Sequence, residues 1–249
     1  MRHARPPTLG ARLDEAIRSE VIAKPGGGTR LLTQLGQRDR WLFDRAVAAV
    51  VPVVERELAS GVMANRARTG APGVELRPWA SARRRFRREV VAAAGSSGAV
   101  FVGDVVDCYA SIPTVAVGRA LADLGVEGDD VARVCDVLRS FEERGVRGLP
   151  VGPAPSAVLA NAVLVPVDRA LREAADGPVF RWVDDVVAFA SGRRAAERIA
   201  DAFHRTLEDA GLVAHPTKCR VAFEKNDTLA RVSPASGAHR RGRGMMRRP

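Results

Sequence analysis

Lysine is almost absent from the chain: Lys24, Lys218 and Lys225 are the only three among 39 basic residues, and the rest are arginine. Tyrosine occurs once, at Tyr109. Cysteine occurs three times, at Cys108, Cys135 and Cys219, an odd count without a Cys-x-x-Cys pair. That usage excludes a disulfide framework and a zinc ribbon. The four histidines (His3, His204, His215, His239) stand at no metal-ligand spacing, and no Gly-Lys-Ser/Thr triplet occurs, which excludes a Walker phosphate loop. Long apolar runs are missing too. The longest stretch free of charge, residues 148–167, is 20 residues long but carries four prolines, Ser156 and Asn161, a poor membrane span. The opening MRHARPPTLG has no apolar signal core. These absences predict a soluble, cytoplasmic protein with no membrane partner.

What is present is apolar residues enough for a core, 46% of 249, and an excess of positive charge, +10. Such a balance favours a polyanionic partner, nucleic acid before membrane. Apolar residues at helical spacing predict a helix over 11–23, which KPGGGTR (24–30) then breaks. Residues 38–60 predict a long helix that Pro52 should kink or divide. Residues 66–79 read as loop, and 79–95 as a helix carrying Arg83, Arg84, Arg85, Arg87 and Arg88. AVFVGDVV (99–106) has the pattern of a buried strand. Helices follow over 113–124, 129–145 and 155–174, the last mostly apolar. VFRWV (179–183) and VVAFA (186–190) predict a hairpin around Asp184 and Asp185. A helix over 193–212 and a strand over 219–223 complete the series. From residue 99 the order is strand, helices, hairpin, helix, strand, that of a ferredoxin-like split βαβ unit. Residues 239–249 hold five arginines and no acid, and read as a flexible basic tail.

Three carboxylates stand out in this pattern. Asp104 ends the first predicted strand, and Asp184 and Asp185 tip the hairpin. Neighbouring strands of a βαββαβ sheet would bring them to one sheet edge. Carboxylates that close repel, and a hard cation such as Mg²⁺ relieves the repulsion while leaving positions for phosphate. Two such ions can stabilise the attacking and leaving oxygens of an in-line displacement. Asp-Asp in a hairpin is also a common turn composition, so the weight lies on the joint pattern.

That joint pattern resembles the reverse transcriptase family. GDVVDCYASI (103–112) is similar to the family's first palm motif, and GLPVGPAPSAVLAN (148–161), followed by Asp168, resembles the second, LPQGxxxSPxLxN. FRWVDDVVAF (180–189) is similar to the third, YxDD, and GLVAHPTKC (211–219) to the fourth. KPGGGTR and RDR (24–30, 38–40) resemble fingers segments of bacterial members.

The resemblance implies an α+β fold: a right-hand polymerase palm of the split-βαβ kind, a mostly helical fingers region, and a thumb absent or minimal. It implies fingers over 1–99, palm over 100–112, a helical insertion over 113–147, palm over 148–223 and a basic tail over 224–249. Asp104, Asp184 and Asp185, with the Val105 carbonyl, would hold two Mg²⁺ ions, for which Mn²⁺ can substitute. Lys24 and Arg30 would hold the incoming triphosphate. Tyr109 would exclude a 2′-hydroxyl by bulk, and Val151 and Gly152 would also contact the nucleotide. Lys218 would assist the leaving pyrophosphate. Val151 stands where the family usually has Gln, Trp182 where it has Tyr and His215 where it has Asn; LPVGP resembles the unknown-group, abortive-infection-like defence branch. The expected partners are an RNA template, a DNA or RNA primer and dNTPs. A protein, a structured RNA or a second copy of the chain would compensate for a short thumb. Template-independent or protein-primed synthesis and a catalytically inactive nucleic-acid-binding scaffold are the alternatives.

Overall fold

The computed structural model describes residues 17–23 and 29–223. Lys24, the glycine run after it and the basic tail lie outside the described residues. Over the rest the elements run β1 (Arg18–Ala23), β2 (Thr29–Gln34), α1 (Gln37–Glu57), α2 (Trp79–Ala94), β3 (Ala99–Gly103), α3 (Cys108–Ser111), α4 (Thr114–Asp123), α5 (Gly128–Glu143), α6 (Ala154–Val163), α7 (Val165–Ala174), β4 (Val179–Trp182), β5 (Asp185–Ala190), α8 (Arg193–Asp209) and β6 (Arg220–Ala222).

β3 to β6 form one antiparallel sheet in the order β4-β5-β3-β6. Each strand connected through helices lies one strand away from its predecessor, which is the split-βαβ arrangement. Both faces are buried, so the strands read as near-continuous apolar runs. Phe101, Val186, Ala188 and Ala190 alternate onto the face that shares a core with Ile199 and Phe203 of α8. Val100, Phe180, Trp182, Val187 and Phe189 point the other way and pack on Phe86 and Val90 of α2. The period-two alternation of side chains thus divides the core into two layers. α1 joins the first layer through Phe43, Val47, Val50 and Val54, together with Leu138 and Phe141 of α5 and Val158 and Leu159 of α6.

Three sequence expectations are corrected. The helix over 11–23 is not formed where the chain is described: Arg18–Ala23 is a strand paired antiparallel with Thr29–Gln34, Val21 opposite Leu31. β-branched Val21 and Ile22, paired with the strand Thr29–Gln34, outweigh the helical spacing of the apolar positions. The helix over 38–60 is not divided: α1 runs through Pro52, whose ring lies on the exposed side between buried Val51 and Val54. The single helix over 155–174 is two, bent by 43° between α6 and α7. Pro166 supplies no N–H to the preceding turn, so the second helix starts afresh with proline in its first turn. Among the described residues no single helix is long and apolar enough to cross a membrane.

The segment after α1 is drawn against the edge of the sheet. The Glu55 carboxylate accepts from Arg66 Nε at 2.8 Å and from the Ala67 amide at 2.7 Å, which clamps residues 55–67 into a loop. Inside that loop, Val62 forms a parallel bridge with Arg181, at the edge of β4. The Arg181 amide donates to the Gly61 carbonyl at 3.0 Å, and the Met63 amide to the Arg181 carbonyl at 3.1 Å. Glycine is required for this approach, because a Cβ on Gly61 would lie 2.1 Å from the Val179 carbonyl oxygen. Backbone blocks the space, so no side-chain rotation makes room. Gly61→Ala is expected to destabilise the protein by at least about 2 kcal/mol, as overpacking against fixed atoms does; the urea unfolding midpoint measures it.

Candidate active site

At the C-terminal end of β3 the chain turns sharply. Asp104 is buried, 5% exposed, and its backbone is held by residues 213–219. The His215 amide donates to the Asp104 carbonyl at 2.8 Å, and the Val106 amide to the Val213 carbonyl at 2.9 Å. Val105 and Ala214 form the bridge between these two bonds, which leaves the Val105 carbonyl out of the exchange. The clamp delivers Lys218, whose Nζ donates to Asp104 Oδ2 at 2.9 Å. Asp107 then takes a left-handed conformation, φ 42°, and starts the short α3 that carries Tyr109.

The neighbouring strand brings the other two acids. β4 and β5 are joined by a two-residue turn, Val183 and Asp184, with Trp182 paired to Asp185. Val183 has φ 60°, an unusual conformation for a β-branched residue. A positive φ at the first turn position only is the type II′ pattern, where glycine is the usual occupant. The turn is held from below: Arg181 Nη1 donates to the Val183 carbonyl at 2.8 Å.

The three carboxylates feel each other. Crowding by protein atoms raises the Asp184 carboxyl above its ordinary range, and the charge of Asp104 raises it further, with Lys218 and Arg30 pulling the other way. Asp185 still reaches solvent, but crowding of its carboxyl, the charges of Asp184 and Asp104 and a hydrogen bond with Asp104 push it up to about 7. Like charges this close favour the protonated carboxyl when no cation lies between them. Among the described residues no group of three His, Cys, Asp or Glu side chains is arranged to hold a metal ion as it stands. The donor set is nonetheless hard oxygen, mutually repelling, and already satisfied in part by one positive charge, that of Lys218. These are the properties that suit Mg²⁺.

The remaining expected site residues fall around this cluster. Arg30, on β2, is near enough for its charge to lower Asp184 and the Tyr109 phenol, which burial otherwise pushes up. β2 in turn leans on residues 148–153: the Thr33 amide donates to the Val151 carbonyl at 2.8 Å, and Gly152 faces Leu32. The same stretch fixes Tyr109, because the Leu149 amide donates to the Tyr109 carbonyl at 2.8 Å. Gly148, at φ 63°, has no room for a Cβ, which would lie 2.6 Å from that same carbonyl oxygen. Lys24 lies outside the described residues.

Two residues with large roles were not singled out in the sequence. Arg181, 2% exposed, donates from Nε and Nη2 to the two oxygens of Asp168, both at 2.7 Å, and from Nη1 to Asn161 Oδ1 at 2.9 Å. Burial opposes its charge, but Asp168 more than restores it. A charged residue in the apolar strand VFRW was the available signal. Asn65 is the other: it has φ 57°, donates from Nδ2 to Tyr109 Oη at 3.1 Å, and accepts at its carbonyl from Asn161 Nδ2 at 3.2 Å. Nothing in the pattern MANRA marks that contact.

Trp182 is covered by α2. Its ring meets Trp79 edge-on at 5.4 Å and Phe86 at 5.4 Å, and the Arg83 guanidinium lies 4.8 Å above it. Arg83 also feels the charge of Asp185. The arginine-rich helix is therefore anchored directly beside the acidic turn, with Arg84, Arg85, Arg87 and Arg88 on its exposed side.

Comparison with known proteins agrees with this geometry. Residues 22–234 match the family model described as reverse transcriptase (RNA-dependent DNA polymerase). No curated protein matches the chain.

Crowding of the Asp185 carboxyl by protein atoms, with the charges of Asp184 and Asp104, sets a pH dependence for the metal-free protein. Its carboxyl is raised from the ordinary 3.8 to about 7, so the folded state binds more protons than the unfolded one between those values. Stability through this group therefore falls as pH rises across that window. Asp185→Asn is expected to melt above wild type at pH 8 without divalent cation, and the gain should vanish near pH 4. Thermal melting of both proteins across pH 4–8 in EDTA checks the sign.

Proposed function

Because the chain belongs to the reverse transcriptase family, we propose that it extends a primer 3′-hydroxyl with deoxynucleotides at the cluster of Asp104, Asp184 and Asp185. Family membership supports an RNA-directed DNA polymerase, with RNA template, primer and dNTPs as partners. The observation that carries the site assignment is the convergence of three carboxylates from β3 and the β4/β5 turn, each within reach of the others' charge. The four-stranded sheet then acts as the palm, and β1, β2 and α1 as part of the fingers.

In this reading the primer hydroxyl attacks the α-phosphate of the nucleotide, and pyrophosphate leaves. Asp104 and Asp184, with the Val105 carbonyl, would hold two Mg²⁺ ions, and Asp185 would be a weaker ligand. Bound there, Mg²⁺ supplies charge stabilisation to the attacking and leaving oxygens. Lys218 brings a positive charge to the same edge, suited to the departing pyrophosphate. Arg30 offers a guanidinium to triphosphate oxygens. The Tyr109 ring, held by the 148–149 turn and by Asn65, is a rigid wall against a 2′-hydroxyl. The arginines on the exposed side of α2 suit a nucleic-acid backbone through counterion release. Val151 at the family's Gln position supports the defence-associated branch, and with it a role against phage.

Two outcomes test the reading. Asp184→Asn should reduce templated dNTP incorporation by at least about a thousandfold at saturating Mg²⁺, as removal of transition-state charge stabilisation does, with an unchanged circular dichroism spectrum. Wild-type rates in that variant would remove Asp184 from the site. The same assay without template separates templated from template-independent synthesis. Tyr109→Ala should lower the ratio of kcat/KM for dNTP over rNTP by raising ribonucleotide use, measured by single-nucleotide primer extension.

A further inference from the structure

A continuous line of hydrogen bonds runs under the site. From Tyr109 Oη it passes to Asn65 Nδ2, from the Asn65 carbonyl to Asn161 Nδ2, from Asn161 Oδ1 to Arg181 Nη1, and from that same nitrogen to the Val183 carbonyl in the turn before Asp184. Asn161 and Arg181 are each 2% exposed, and Asp168, which anchors the line, is 4% exposed. Few positions in a protein so enclosed can shift independently, because each donor left without its acceptor would be a buried polar group without a partner.

The line joins two things that the chemistry needs separately. One end fixes the ring that would face the sugar. The other fixes the turn that presents Asp184 and Asp185. Asn65 is the member best suited to adjust the first without disturbing the second. Its left-handed backbone suits asparagine, its side chain is spent on the ring, and it arrives through a loop pinned at Gly61 and by Glu55 with Arg66.

We infer that Asn65 is a positioning residue for sugar selection: through Asn161 and Arg181 it ties the Tyr109 ring to the turn that bears Asp184. The side chain of Asn65 bonds the Tyr109 hydroxyl and is not part of the carboxylate cluster. It acts by holding the phenol at one height above the nucleotide's sugar, with the turn as the fixed reference. The inference rests on the polymerase reading for its substrate, but the linkage itself belongs to the protein alone.

Asn65→Gly removes the side-chain donor and keeps a residue at ease with positive φ. Asn161→Asp keeps an acceptor for Arg181 and loses the donor to the Asn65 carbonyl, so it cuts the line without altering the side chain bonded to the ring. Because Tyr109 is the single tyrosine, 3-fluorotyrosine incorporation gives one ¹⁹F resonance that reports on it. Asn65→Gly is expected to lower the dNTP/rNTP ratio of kcat/KM by about three- to tenfold, the worth of one hydrogen bond. The kcat for dNTP should stay within about twofold, since the turn is untouched. Both variants should move the ¹⁹F resonance in protein that melts cooperatively. An unchanged ratio in folded Asn65→Gly, or equal loss for both nucleotide classes, would overturn the role in selection. A fluorine signal that Asn161→Asp leaves in place would overturn the linkage. Should wild-type protein incorporate neither nucleotide class, the polymerase reading falls with the selection role, while the fluorine measurement still decides whether Tyr109 and Asn161 are joined.

Discussion

A guanidinium buried in a β-sheet governs the architecture around the acidic turn. Arg181 lies in the short β4, where both faces are covered, and its charge would be prohibitive there without full compensation. The compensation is geometric: the planar fork meets the two oxygens of Asp168 on α7, and the remaining nitrogen serves Asn161 on α6 and the Val183 carbonyl. Such bidentate, charge-assisted bonds hold direction as well as distance. They fix α6 and α7 to the strand, and the strand to its turn. The break at Pro166 fits this scheme, since Asn161 and Asp168 come from two differently directed helices yet meet at one side chain.

Around that fixed point the protein tolerates two unfavourable features. Val183 holds a backbone conformation that costs a β-branched residue free energy, of order 1–3 kcal/mol. The acids beside it repel one another, which raises the carboxyls of Asp184 and Asp185 beyond what crowding by protein atoms does. Neither would persist in an isolated hairpin. Here the turn carbonyl is bonded from beneath, Trp182 is enclosed by Trp79, Phe86 and Arg83, and Asp104 is strapped by residues 213–219. Local disadvantage concentrated at a well-braced place is how proteins keep a reactive arrangement ready.

The sheet and its acids were legible in the sequence because the signals are local. The mostly apolar runs at 99–106, 179–183 and 186–190 read as covered strands, and the acids at their ends follow from strand order. The N-terminal hairpin was not legible: its apolar residues also fit a helical spacing, and only the partner strand decides between the two. Pro52 and Pro166 carry the same local meaning and have different outcomes. The first has its ring toward solvent on a helix packed along its other side, while the second sits where α6 and α7 must point apart. Asn65 was out of reach for a different reason. Its value lies in a contact 44 residues away in sequence, set up by a glycine whose need for space appears only when β4 is beside it.

The hairpin that carries Arg30 is built unlike the rest. Most of its residues are exposed, among them Val21 at 65% and Leu31 at 53%. A two-stranded ribbon with so little covered surface has a small opening free energy of its own. The carboxylate side, by contrast, is knitted into both core layers. Amide hydrogen exchange would therefore divide the site in time, with the β1 and β2 amides trading protons by frequent local opening and those of β3 and β5 only when the whole domain unfolds. The strand that carries Arg30 can breathe while the acids near it hold their register.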